Sequence, residues 1–292
     1  MRSRKQKRFR RKSRKNIKKF YFIGGKGEDK CIFVPLGGGL GNQLYVYAAG
    51  LTVKKKINLP LCLLPYNDNK HSQTDYTKIL FTQGKPVSDV HARMTMSQRV
   101  LNKVREPHNR WVEENIIGTA NSNVLLAGGF FQSYSSIAGV VPTIREDFAK
   151  VFKERYPDLS IDSSCSAFMH VRRGDYGGVS LSADYYNRGL GVLEPNQTIK
   201  KLYILSDDIP WCKGNTWDTG KEIIWFEEPD ELKAMYLMSL CRAGAVISAS
   251  TFSTWGAILG PDQNAESTIV YPKDWITGPS SRIGFPERWK AI

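Results

Sequence analysis

After residue 30 the chain alternates short apolar runs with stretches of helical periodicity. In the first half the runs are Cys31–Leu36, Leu59–Leu64 and Val124–Phe131. In the second they are Ala167–Val171, Lys201–Leu205, Glu222–Phe226, Ala243–Ile247 and Thr268–Tyr271. Continuous apolar runs of this length read as strands buried on both faces of a parallel sheet. Between them apolar positions recur three or four apart: Leu44, Tyr47, Ala48 and Leu51 within 44–56, then Ile144, Phe148, Val151 and Phe152 within 142–156. Leu232, Met235, Tyr236 and Leu240 repeat the pattern within 230–242, a further helix begins near Ser182, and 255–259 is helical. Strands separated by helices predict βαβ units and an α/β fold. Residues 65–117 are polar, with mixed charge and scattered aromatics, and read as helices and loops. The Ser/Asp-rich stretch 157–166 reads as a linker between an N-terminal lobe (20–160) and a C-terminal lobe (161–292).

Charge changes this picture in one place. The chain of 292 residues carries a net charge of +14, yet residues 1–19 hold twelve Lys or Arg and no acid. The remainder has 30 basic against 28 acidic residues, so the charge belongs to a tail and not to the globular part. The tail composition predicts disorder. It fits a nucleic-acid arm, a nuclear-type address, a clamp on an anionic membrane surface, or a solubilising extension. No apolar stretch near the N-terminus is long enough for a signal segment or membrane span, which points to a cytoplasmic protein with at most peripheral membrane contact. The five cysteines are scattered, with no CxxC pair, and read as reduced, buried thiols. The four histidines make no metal spacing.

Candidate chemistry collects at strand ends. Ala167–Val171 runs into Arg172-Arg173-Gly174-Asp175, and arginines at a strand's carboxyl end are placed to meet an anion in the crevice of an open sheet. An Arg–Asp surface pair is the plainer reading. Cys31–Leu36 leads into Gly37-Gly38-Gly39-Leu40-Gly41-Asn42-Gln43 and then a helix, the layout that aims backbone N–H groups at an anion. It lacks the Lys-Ser/Thr ending of a P-loop, and a tight turn without ligand fits equally. Ser206-Asp207-Asp208 offers acceptors for a base or ribose, or an N-cap; Ser250-Thr251-Phe252-Ser253 offers hydroxyls for phosphate, or a cap for the next helix.

Taken together these blocks resemble the α-1,2-fucosyltransferase family. The resemblance covers residues 31–275 and rests on Gly38–Leu44 with Tyr47-Ala48, Phe130–Ser133, His170–Tyr176, and Ser206–Asp208 with Trp211–Lys213. Leu237–Ser239 with Cys241, and Ser250–Ser253 with Trp255–Ala257, complete it in the same order. It implies a GT-B-type fold of two Rossmann-like lobes with a cleft between them, GDP-fucose as donor, a glycan acceptor, inversion, and no cofactor or required metal. Donor binding is then expected at Gly39, Gly41, Asn42, His170, Arg172, Arg173, Ser206, Asp207, Ser250, Thr251, Phe252 and Ser253, with the acceptor near Gln132 and Trp255. Arg172 is the expected catalytic cation. Asp175 is the candidate base, although a carboxylate paired to arginine is a poor one. Thr254-Trp255 stands where the family carries Trp-Trp, and Ala249 where it commonly has Asn; these departures bear on the acceptor and the donor sugar. The expectation is a transferase moving L-fucose to a glycan hydroxyl, a galactoside O-2, in a bacterial or virus-encoded setting. A related transferase for another nucleotide sugar, and a nucleic-acid-binding protein acting through residues 1–19, are the alternatives.

Overall fold

The structure, a computed structural model, describes residues 30–65, 74–87, 102–105, 123–127, 129–174, 180–275, 278–279 and 284–292. The basic tail lies outside the described residues. So does Asp175.

Two parallel sheets carry the fold. The first joins β1 (Ile32–Pro35), β2 (Leu61–Leu64), β3 (Gly84–Pro86), β4 (Asn102–Arg105) and β5 (Val124–Ala127) in the order β3-β2-β1-β5-β4. The second joins β6 (Ser166–Val171), β7 (Lys201–Ser206), β8 (Glu222–Trp225), β9 (Gly244–Val246), β10 (Thr268–Tyr271) and β13 (Lys290–Ala291) in the order β13-β10-β9-β6-β7-β8. In each sheet the strand order reverses at the middle, between β1 and β5 and between β6 and β9. The carboxyl ends at such a reversal are where an open α/β sheet receives ligands. A short antiparallel pair, β11 (Asp274–Trp275) with β12 (Gly278–Pro279), lies outside both sheets. Every residue of β6 is buried, as a central strand covered on both faces requires.

Helix α1 (Leu40–Ile57) follows β1, and α2 (Tyr134–Ile137) precedes α3 (Val141–Arg155). In the second half come α4 (Ala183–Leu193), α5 (Ile209–Lys213), α6 (Glu231–Leu240) and α7 (Thr251–Leu259). Helix α1 begins at Leu40 and α7 at Thr251, four residues earlier in each case than apolar periodicity places them. Leu40 and Phe252 stand in these first turns among Gly, Asn, Gln, Ser and Thr, which read as turn or cap chemistry and mask the helix starts. Residues 65–117 also hold strands, β3 and β4, too short to stand out by pattern. The thiol expectation is corrected: Cys31 and Cys62 are joined as a disulfide. β1 and β2 are adjacent parallel strands, which brings the two Cα atoms to 6.0 Å, within disulfide reach. Cys165, Cys212 and Cys241 are free. Among the described residues no helix is long and apolar enough to cross a membrane.

Two features tie the sheets together. Helix α3 presents Ile144, Phe148 and Phe152 inward, and the Phe152 ring stacks on Tyr236 of α6 at 5.3 Å. Behind it, the buried carboxylate of Asp262 accepts from Tyr134 (3.1 Å), Arg145 (2.6 Å), Trp289 (2.8 Å) and Arg288. Arg145 also donates to the Ile258 carbonyl at the end of α7. Second, α1 crosses α7 at Gly41, where an added Cβ would lie 2.4 Å from the Thr251–Phe252 peptide. Only glycine lets two helix starts approach this closely. One turn further on, Tyr45 of α1 packs edge-on against Trp255 of α7, at 5.3 Å.

Asp262→Asn keeps the shape and removes the charge that two guanidinium groups share. It is expected to destabilise the protein by about 3 kcal/mol, measured as a lower urea midpoint at unchanged slope. A midpoint equal to wild type would contradict the tie. Gly41→Ala is expected to separate the two helices and lower the midpoint as well; unchanged stability and unchanged tyrosine fluorescence would show that the contact is dispensable.

Candidate active site

One carboxylate shapes the turn after β6. Val171 pairs with Ser206 across β6 and β7, so the residue that follows Ser206 emerges beside the turn. That residue is Asp207, whose two oxygens each accept a backbone N–H at 2.8 Å, one from Arg173 and one from Gly174. Arg172 Nη1 lies 3.1 Å from Asp207 Oδ2. Arg173 turns the other way: its guanidinium sits 3.9 Å from the centroid of the Trp211 ring, with Nε 3.4 Å from Asp208 Oδ2. Asp208 also caps α5 by accepting the Trp211 N–H at 3.1 Å, and Ser206 Oγ accepts the Asp208 N–H at 2.9 Å. Of the two acids, Asp208 takes the capping role and Asp207 holds the arginine turn.

His170, the last residue but one of β6, is almost fully buried, its Nδ1 3.1 Å from Ser248 Oγ and its ring 5.4 Å from Phe252. Burial pushes its pKa down to about 4; the Arg172 charge adds to the depression and Asp207 opposes it. The imidazole is therefore neutral at neutral pH. Ser248 continues the contact to Ser253 Oγ at 3.2 Å, which joins the end of β6 to the start of α7.

Opposite this turn the N-termini of α1 and α7 meet. Gly38 adopts φ +74°, a conformation natural to glycine, and its carbonyl accepts from Gln43 Nε2 at 2.8 Å. Gly39 is the N-cap of α1 and offers no side-chain cap. First-turn N–H groups at an uncapped start are suited to an anion. Asn42 Oδ1 accepts from Gln132 Nε2 (2.9 Å) and from Thr251 Oγ1 (3.0 Å). With that oxygen doubly engaged, the Asn42 amide can act toward a ligand only as a donor. Ser250 caps α7 by accepting the Phe252 N–H at 3.3 Å.

The structure thus brings together Gly39, Asn42, Gln132, His170, Arg172, Asp207, Thr251 and Phe252. Gly41 lies beneath the Thr251–Phe252 peptide and acts through close approach. Ser253 and Trp255 are fully buried: the serine bonds to carbonyls of its own segment, and the tryptophan packs at the joint between the sheets. Thr254 is likewise buried and donates to the Ser250 carbonyl. Two further features have no signal in the sequence. Phe131 has φ +53°, rare for a non-glycine residue, and presents Gln132 to Asn42. Phe130 before it is 41% exposed, and its ring edge lies 3.4 Å from where a Gly38 Cβ would stand. Its apolar run made it read as the end of a buried strand.

Comparison with known proteins gives the family and the fold. The chain is 24% identical to the O-antigen biosynthesis glycosyltransferase WbnK of Escherichia coli, over 83% of this chain and 94% of that protein. It is 26% identical to an α-1,2-colitosyltransferase of Escherichia coli, over 88% and 97%. Among solved structures, the NodZ α-1,6-fucosyltransferase co-crystallised with GDP superposes with a TM-score of 0.50 at 11% identity, covering 80% of this chain and 93% of that one. That likeness concerns the fold, a GT-B-type pair of lobes. The sequence model of glycosyl transferase family 11 matches residues 34–280, nearly the whole span from β1 to β12. The chain belongs to glycosyl transferase family 11, the α-1,2-fucosyltransferase family, and is a glycosyltransferase.

Proposed function

We propose that the protein transfers L-fucose from GDP-fucose to O-2 of a galactoside in a glycan, with inversion and without a metal ion. The observation that carries this reading is Arg172, held by Asp207 on the turn after the central strand β6, whose His170 packs against Phe252 at the start of α7. In such a transfer the bond between the sugar's anomeric carbon and the β-phosphate oxygen breaks, and negative charge grows on departing GDP. Arg172 and first-turn N–H groups are suited to receive that charge. Donors preorganised for developing charge supply the largest share of such catalysis. The acceptor hydroxyl attacks from the opposite face. In a dissociative transition state its proton leaves late, so no strong base is demanded; Asp175 is the group we assign to receive it. Gln132 and the exposed Phe130 border the acceptor side. The Escherichia coli relatives favour a bacterial setting. A colitosyl donor is the second reading, favoured by the α-1,2-colitosyltransferase among the relatives.

The test is release of GDP from a panel of GDP-linked and other nucleotide sugars, with EDTA present and with galactoside acceptors added in turn. Selective turnover of GDP-fucose, reduced about 10²–10³-fold in Arg172→Ala, is expected. Turnover of GDP-colitose alone would move the donor to the second reading. Normal turnover in Arg172→Ala would remove Arg172 from the mechanism, and dependence on added metal would overturn the metal-free route.

His170 gives a pH prediction. Its pKa lies near 4 in the folded protein against an ordinary value of 6.5. Above pH 6.5 neither state binds the proton and the residue contributes nothing. Between 6.5 and 4 the unfolded chain takes up a proton that the folded one refuses, so stability falls as pH falls, by up to about 3 kcal/mol. Urea unfolding of wild type and His170→Gln from pH 7.5 to 4.5 should show a steeper loss for wild type. Parallel curves would contradict the buried neutral imidazole.

A further inference from the structure

We infer that Asp207 is a positioning residue: it fixes the turn that presents Arg172 to the leaving phosphate, and it does not itself read the nucleotide. The inference rests on the role proposed above for Arg172 and adds the residue through which the fold delivers it.

Three bonds converge on this one carboxylate. Oδ1 accepts the Arg173 N–H and Oδ2 the Gly174 N–H, each at 2.8 Å, while Arg172 Nη1 sits 3.1 Å from Oδ2. A carboxylate gripping two consecutive N–H groups sets the path of the backbone, and the same charge holds the adjoining guanidinium. These are charge-assisted bonds, about twice as strong as neutral ones. The anchor is rigid because Asp207 follows β7, which is paired with β6 along its length up to Val171–Ser206. Gly174 supports the same reading from the other side. A Cβ at that position would lie 2.8 Å from Asp207 Oδ2, so the carboxylate occupies the space a side chain would need.

The arrangement also separates the two arginines. Arg173 is drawn to Trp211 and Asp208, on the α5 side. Arg172 is the one held beside the turn by Asp207. Three of the roughly four acceptor sites of this carboxylate are engaged in this way, which leaves one on Oδ1 and reduces its capacity for a ribose or base. A carboxylate within a few ångströms of the diphosphate would repel it, and the pairing with Arg172 offsets that repulsion.

The test compares wild type, Asp207→Asn, Arg172→Ala and the double variant in GDP titration calorimetry, with donor turnover measured alongside. Asp207→Asn keeps the shape and one acceptor and removes the charge. It is expected to weaken GDP about tenfold and to lower kcat more than it raises KM, since an ion-bonded partner is lost and the residual error falls on the transition state. In the Arg172→Ala background the same substitution should change GDP affinity by less than about twofold, because both residues act through one group. Gly174→Ala, which displaces the carboxylate sterically, should reproduce the kcat loss, with thermal unfolding still cooperative.

If the Asp207 and Arg172 losses multiply independently, Asp207 contacts the nucleotide itself and the inference fails. If Asp207→Asn is silent while Arg172→Ala is severe, the clamp is dispensable and the inference fails while the proposed function stands. If Arg172→Ala leaves GDP affinity and turnover intact, the proposed role of Arg172 fails, and this inference with it.

Discussion

The structure depends on the contact at Gly41, where the first turn of α1 lies against the first turn of α7. Each helix follows a strand next to the reversal in its own sheet, so the contact brings the ligand-facing edges of both sheets to one place. Two helix starts and Arg172 concentrate positive potential there. Without an anion that concentration is unfavourable, since aligned peptide dipoles of the same sign face each other. It is sustained by packing behind it: Tyr45 on Trp255, Phe152 on Tyr236, and the Asp262 network that holds α2, α3, the end of α7 and the C-terminal residues on one carboxylate. Under the proposed function, the diphosphate of the donor would relieve this mismatch.

The polar groups of the site divide into those that face the crevice and those that hold them. The Asn42 oxygen is occupied by Gln132 and Thr251, one from each side of the joint, which leaves its amide N–H groups as the side able to meet a ligand. Arg172 is held by Asp207 while Arg173 is drawn aside by Trp211 and Asp208. His170 is kept neutral by burial, so it adds a polar contact without adding charge. The second layer of Ser248, Ser253 and Thr254 bonds largely to its own backbone and fixes where α7 starts.

Much of this was legible in the sequence. The buried strands appear as apolar runs because central parallel strands are covered on both faces, and the blocks at their carboxyl ends carry the family resemblance. The first turns of α1 and α7 were hidden, because Gly41, Asn42, Thr251 and Ser253 read as turn or cap chemistry. Whether Asp207 or Asp208 caps α5 was open, and only the β6–β7 register decides it. Trp255 was expected on the acceptor side, yet its buried place against Tyr45 depends on a contact between residues 210 positions apart. The Cys31–Cys62 pairing was missed for the same reason: it follows from strand adjacency, not from spacing. The resemblance marks the block Phe130–Ser133 but not the positive φ of Phe131, which its surroundings impose.

The most direct measurement of the account is backbone hydrogen exchange, followed by mass spectrometry, with and without saturating GDP. The account predicts that GDP slows exchange together in peptides covering residues 38–44, 171–174 and 248–254, because one diphosphate takes N–H groups and charge from both lobes. Protection confined to the second sheet's segments, with 38–44 unchanged while GDP is bound, would show that the meeting of α1 and α7 does not form the anion site.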